Sequence, residues 1–288
     1  MHIIRVRMRS LHGLVRGALA AVVLVSLAAG TAFAAPRPDL LGQIWTEHDA
    51  GSTRTVDNSL WAEFLDRYLV ADDPSGVNLV RYADVTDADK ASLDRYIRQL
   101  EAIDVRTLNR DEQLAYWLNM YNAVTVQVIL DHYPVRSIRR IGISGFFSIG
   151  PWDADLVEVL DEPLTLNEIE HRIIRPIWTS PLIHYVVNCA SYSCPELAEV
   201  PFTAENVYEI MEESAVEYVN HPRGVEIDGR VMRLSSIYTW YMQDDFGGNR
   251  EGLIEHLLQY ASPQKAREIR DFDGRLAFSY DWALNEPD

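Results

Sequence analysis

The chain has 288 residues, 43 acidic against 26 basic side chains, and two cysteines. A net charge of −17 argues against a nucleic-acid surface, which needs clustered Lys and Arg. Two cysteines exclude a disulfide-rich miniprotein and a four-cysteine zinc module, leaving an acidic globular protein with ample material for a core.

The first 34 residues read as an export address. Arg5, Arg7, Arg9 and Arg16 form a basic start without an acid, an apolar run follows from Ala18 to Ala29, and Ala32-Phe33-Ala34 is a small-residue processing site. The apolar run is short for a membrane span, although an uncleaved anchor is the alternative reading. Cleavage is expected after Ala34, giving a secreted or periplasmic protein with no membrane span. Losing four arginines would take the net charge from −17 to −21. Such a compartment permits a disulfide.

Residues 35 to 56 lack a strong pattern and read as a leader to a domain over 57 to 288. Asp57 or Asn58 can cap a helix bearing Leu60, Trp61, Phe64, Leu65 and Tyr68 at helical spacing. Pro74-Ser75-Gly76 is a turn before a strand over 77 to 83. Thr86 with Asp89 starts a helix, and Asn109 caps a long one over 110 to 132 that Pro134 ends. A loop over 142 to 155 leads to a strand at 156 to 160. Thr165-Leu166-Asn167-Glu168 is a capping box for a helix through about Arg175. The β-branched and aromatic run 182 to 188 reads as a buried strand, and Thr203 as the cap of a helix to Asn220. Asp228-Gly229 between Val225-Glu226-Ile227 and Val231-Met232-Arg233-Leu234 signals a hairpin. Short helices and a final strand over 276 to 284 complete the chain. Helices and short strands without a βαβ rhythm imply an α+β fold, with helices packed on a small, mainly antiparallel sheet in one domain.

Polar side chains concentrate in a few apolar blocks. Asn119 and Asn122 lie three apart on one face of the long helix, so burial obliges them to bond either neighbouring backbone or a ligand. Glu170-His171 lies in the capped helix. In the expected strand, alternation puts His184, Val186 and Asn188 on one face, with His184 either a bonded core residue or a base. Cys189 and Cys194 bracket a turn rich in backbone donors and containing Ser191. Cys189 could be a nucleophile, activated by His184 if the strand breaks at Asn188, or by His171. Alternatively the two cysteines form a disulfide or a thiol–disulfide redox pair; a zinc site lacks the usual spacing. Trp240 precedes Asp244 and Asp245, either of which could orient a histidine, or be a solvated pair.

With these blocks together, the chain resembles the domain-of-unknown-function 547 family. The resemblance rests on AYWLNMYNAVTVQVIL (115–130), LTLNEIEHRIIR (164–175), LIHYVVNCASYSCPEL (182–197), FTAENV (202–207), LSSIYTWYMQDDFG (234–247) and YDWALN (280–285). It implies motif positions at Asn119, Asn122, Glu170, His171, His184, Asn188, Cys189, Ser191, Cys194, Pro195, Trp240, Asp245 and Asp281, and names no reaction. A distant likeness to papain- and transglutaminase-like folds is expected, with one departure: their cysteine opens the central helix and precedes the histidine, whereas here His184 precedes Cys189. The resulting expectation is a cysteine-dependent hydrolase or acyltransferase on an amide or thioester. Cys189 would be nucleophile, His184 or His171 base, Asp245 orienter and Asn119 or backbone amides the oxyanion donors, with Asn122, Glu170, Asn188, Ser191 and Trp240 in binding roles. The alternative is a non-catalytic binding domain with a structural Cys189–Cys194 bridge. A small molecule or peptide is the expected partner, with neither nucleic acid, cofactor nor metal.

Overall fold

A buried helix organises the fold. The computed structural model describes residues 35–145 and 149–287, so the export address expected over 1–34 lies outside the described residues. Helix α1 (Ser59–Tyr68) leads through β1 (Leu69–Val70) and β2 (Leu79–Val80) to α2 (Asp87–Glu101) and the long α3 (Arg110–His132). The Asn109 side chain accepts hydrogen bonds from the amides of Asp111 and Glu112 and so caps α3, as Thr86 caps α2 through the Asp89 amide. Every residue of α3 from Glu112 to Val126 is buried, so the helix is enclosed on all sides.

An enclosed helix carrying polar side chains must satisfy them within the protein. Glu112 accepts from the amides of Val56 (2.7 Å) and Ala204 (3.0 Å). Gln113 donates to the carbonyls of Glu47 and Val105. Asn119 donates to the Phe202 carbonyl (2.8 Å) and accepts from its amide (3.0 Å), while Asn122 donates to the Val186 carbonyl (2.9 Å) and accepts from the Asn188 amide (2.8 Å). Irregular segments on several sides are thus pinned to α3 by side chains instead of by a sheet.

Strands β3 (Val157–Val159) and β4 (Glu162–Leu164) form a hairpin, followed by α4 (Leu166–Glu168), a π-helical turn over Ile169–Ile174, and α5 (Arg175–Trp178). The capping box of Thr165 and Glu168 is present, and the helix runs past Arg175 to stop at Thr179, which has a left-handed φ of 43°. Helix α6 (Val207–Asn220) precedes β5 (Val225–Asp228), β6 (Val231–Ser235) and α7 (Ile237–Trp240). Helices α8 (Arg250–Tyr260) and α9 (Pro263–Arg270) lead to β7 (Arg275–Ser279).

The fold is α+β, and the described residues belong to one compact unit. Among them no helix is long and apolar enough to cross a membrane. Among the described residues three small sheets stand where a single one is expected: β1–β2, β3–β4 and β5–β6–β7, the last with an antiparallel hairpin at Asp228-Gly229 and a parallel β6–β7 pair.

Several local expectations are corrected. The strand over 77 to 83 shrinks to Leu79–Val80, because a 3₁₀ turn takes over at Tyr82–Asp84. Thr203 does not cap α6; it opens a turn, its amide bonded to the Asn206 side chain, and the helix starts at Val207. The run 182 to 188 is no strand. It is a 3₁₀ turn over Pro181–Tyr185, then an irregular stretch whose backbone is satisfied by Asn122 instead of a ladder. The final strand stops at Ser279, since the residues after it turn to pair with the cysteine loop.

Replacing Asn119 by Ala strands the buried amide of Phe202, while its carbonyl keeps the bond donated by Asn58 Nδ2 (3.2 Å). The expected cost is roughly 1–3 kcal/mol of unfolding free energy, read from urea denaturation. An Asn119→Ala chain as stable as the wild type would mean that this clamp is dispensable.

Candidate active site

The π turn, α5, the 3₁₀ turn and the segment after α7 enclose a buried charge cluster. Arg175, whose side chain is 1% exposed, donates to Asp245 Oδ2 from Nε (3.1 Å) and Nη2 (2.5 Å), and from Nη1 to the Pro36 carbonyl (2.7 Å). The same Asp245 oxygen lies 2.8 Å from His184 Nε2. His184 stacks on Tyr241 with ring centroids 3.6 Å apart, and the Arg175 guanidinium sits 4.8 Å from that ring. Tyr241 donates to Glu170 Oε1 (2.9 Å). The other imidazole nitrogen, Nδ1, is buried without a hydrogen-bond partner among the described residues, 3.7 Å from Glu170 Oε1.

A π turn places its side chains out of step with an α-helix and recurs at functional sites. Here Glu170, His171 and Arg175 all turn inward. Glu170 stays below the usual glutamate range: burial opposes its charge, but the His171 and His184 imidazoles, the Arg175 guanidinium and the Tyr241 hydroxyl outweigh that. Asp245 is lowered in the same way, burial being overcome by His184 and Arg175. His171 is pushed down, chiefly by burial, with Arg175 adding to it against the pull of Glu170. Its Nδ1 lies 3.1 Å from Arg175 Nη1, and arginine can only donate, so that nitrogen is the acceptor.

The cysteine loop lies next in the chain. Asn188 fixes it from inside, accepting from the Ala190 amide (2.8 Å) and donating to the Pro195 carbonyl (2.6 Å), while Ala190 takes a left-handed φ of 53°. The C-terminal segment closes it from outside: the amides of Tyr192 and Ser193 donate to the carbonyls of Ala283 (2.8 Å) and Asp281 (3.1 Å), and Asp281 N–H donates to Ser193 Oγ (2.8 Å). Cys189 is half-buried and Cys194 buried, and both are free thiols. Cys189 Sγ lies 2.9 Å from Cys194 Sγ, 3.1 Å from Ser191 Oγ and 3.1 Å from the Tyr280 hydroxyl. Burial works against ionising Cys189, but hydrogen bonds with Cys194, Ser191 and Tyr280 outweigh it and the Glu170 charge, holding the thiol below its ordinary value. Burial and the neighbouring Cys189 sulfur keep Cys194 well above.

Tyr280 carries the loop to a half-exposed aromatic cluster. Its ring packs 4.8 Å from Trp240 and 4.6 Å from Trp282, and Trp152 meets Trp282 edge-on at 5.9 Å. Two open surface depressions, of about 500 and 440 Å³ along α2, contain none of these residues. No group of three His, Cys, Asp or Glu side chains among the described residues is placed to hold a metal ion.

The structure therefore brings Asp245 to His184 and Ser191 to Cys189. Other expected roles do not fit. Asn119 cannot be an oxyanion donor, because its amide is used on Phe202; Asn122 and Asn188 likewise hold loops, not a ligand. His171 is a poor base, its Nδ1 being occupied by Arg175. The hydrogen-bonding partners of the Cys189 thiol are hydroxyls and a thiol, not an imidazole. Trp240 sits in the aromatic cluster, Asp281 supports the loop, and Asp244 stands 3.9 Å from Arg175. Arg175 and Tyr280 are not picked out by the sequence, and Tyr241 reads there as a core residue, although each falls in a motif block.

Arg223 braces the far side of the loop, donating to the carbonyl of Cys194 (3.0 Å) and pairing with Glu196. Burial and the Glu196 carboxylate push Glu217 beside them up to about 7.

A helix-centred α+β domain with a buried Arg–Asp–His cluster beside a paired-thiol loop is the class of protein that these features define. Residues 105–219 match the family model described as protein of unknown function, DUF547, and the chain is a DUF547 domain-containing protein. Neither the curated proteins nor the solved structures give a match.

Two predictions follow from this geometry. Arg175→Leu leaves Asp245 buried without its cation and should destabilise the fold by about 3–5 kcal/mol in denaturant titrations, far more than removing an exposed pair. Glu217 binds its proton more tightly folded than unfolded, so its contribution is full below the ordinary glutamate value and is lost as pH rises through about 7. The melting temperature of Glu217→Gln relative to wild type should therefore be higher at pH 8 than at pH 5; an equal difference at both would contradict the shift.

Proposed function

We propose that this protein, exported and freed of residues 1–34, is a cysteine-dependent hydrolase or acyltransferase acting on an amide or thioester of a small molecule or peptide. The observation that carries the reading is the Cys189 thiol: half-buried, hydrogen-bonded by Ser191, Tyr280 and Cys194, and held below its ordinary value. A thiolate stabilised by hydroxyl donors needs no base in contact with it, and the thiolate is the attacking species.

His184 then acts on the other proton of the reaction. With Nε2 engaged by Asp245, Nδ1 has no hydrogen-bond partner among the described residues and is the nitrogen free to exchange a proton, as a general acid–base requires. Asp245, itself locked by Arg175, fixes ring orientation and tautomer. Tyr241 and Glu170 confine the imidazole from its face and its Nδ1 side. Trp240, Tyr280 and Trp282 offer ring faces for an acyl or side-chain group next to the thiol.

The second reading is a binding domain with a Cys189–Cys194 bridge, favoured by the contact of the two sulfurs.

Alkylation of Cys189 by iodoacetamide, followed against pH by peptide mass spectrometry, should show an inflection below that of an ordinary thiol, near 8.5. Tyr280→Phe with Ser191→Ala should move the inflection upward. In a panel of amide and thioester substrates, Cys189→Ala should abolish turnover and His184→Ala should reduce it roughly 10²–10⁴-fold. Turnover unaffected by Cys189→Ala would sink the proposal.

A further inference from the structure

We propose that Cys189 and Cys194 are a reversible dithiol–disulfide couple that exchanges with small or protein disulfides, closing to silence the Cys189 thiol and opening to release it. The silencing rests on the nucleophile reading above; the couple itself does not.

Three observations carry it. The first is proximity: the sulfurs are in contact, and the Cys189 amide points at the Cys194 sulfur, 2.9 Å away. The second is asymmetry. Cys189 is half-buried, whereas Cys194 is 4% exposed. An incoming disulfide meets only Cys189, and only Cys194 is placed to resolve the adduct. Cys189 as thiolate attacks one sulfur of R–S–S–R, forming a mixed disulfide and expelling one thiolate. Cys194 then gives up its proton and attacks the Cys189 sulfur, expelling the second. One disulfide is reduced to two thiols and the protein pair is oxidised, so electrons and protons balance.

The third observation concerns lability. A bridge that served as a staple would hold a loop that nothing else holds. This loop is already fixed by Asn122, Asn188, Arg223 and the Asp281–Ala283 segment, and a six-residue ring removes little unfolded-chain entropy. The hydroxyls of Ser191 and Tyr280 meet the Cys189 sulfur, and a disulfide sulfur is a much poorer acceptor than a thiolate. Closure forfeits those bonds, so the site favours the reduced form and the closed bond is an easily reduced one.

The purified chain is equilibrated in glutathione buffers from reduced to oxidised, quenched with iodoacetamide in denaturant and weighed intact. Both thiols should vanish together in a monomer and return on raising reduced glutathione under native conditions. Cys194→Ala should instead trap a glutathione adduct on Cys189. The inference is overturned if both thiols stay alkylatable in the oxidised buffer. It is equally overturned if the closed pair resists reduced glutathione until the protein is unfolded. Neither outcome touches the nucleophile reading, which stands or falls on turnover by reduced Cys189→Ala.

Discussion

Asn122 bonds the Val186 carbonyl and the Asn188 amide, and through this one side chain the enclosed helix α3 dictates the course of the chain that carries both His184 and Cys189. A helix buried on every side has no solvent-facing stripe on which to place amides and carboxylates, so each must be matched inside. The groups that match them are backbone groups of segments that do not belong to any sheet. Regular structure would have satisfied those segments by itself; here the matching falls to Glu112, Gln113, Asn119 and Asn122, one after another along the helix. The geometry of the candidate site is thereby inherited from the core.

What was legible in the sequence was what is decided locally. Thr86 with Asp89, Asn109, the Thr165–Glu168 box and the Asp228-Gly229 hairpin are contests settled within a few residues, and each was readable from spacing alone. The run 182 to 188 was misread because its composition is that of a buried strand, while its conformation is set by an amide some sixty positions earlier. Burial was encoded in those residues, but the partner was not. The final strand was overextended for the same reason: Tyr280 to Leu284 are spent on the cysteine loop.

The candidate site divides along the same line. His184 and Asp245 could be paired from chemistry, an imidazole wanting an orienting carboxylate. Arg175 could not, because its partners are a carbonyl 139 residues upstream and a carboxylate 70 downstream. The asparagines of the long helix need partners on sequence grounds alone, and they have them; only the answer, backbone instead of ligand, depends on the fold. Tyr280 offered one signal, an aromatic hydroxyl immediately before the Asp281 motif position, with nothing in its surroundings to direct it toward a thiol.

The Arg175–Asp245–His184 cluster is hard to account for as a stabilising device. Removing two opposite charges from water costs several kcal/mol per ion, and well-packed apolar side chains of similar volume are often as stabilising. Loss of one partner is costly, yet that measures the stranded charge, not the worth of the pair. A purely structural cluster would also be expected to bond each polar side-chain atom, as Asn119, Asn122 and Asn188 do through both oxygen and nitrogen. Instead one imidazole nitrogen has no partner among the described residues, in a ring clamped by Tyr241 on its face and by Asp245 at its other nitrogen. Under the proposed reading, the rigid ring and its unpartnered nitrogen serve proton transfer, and orientation is the property that the desolvation cost secures.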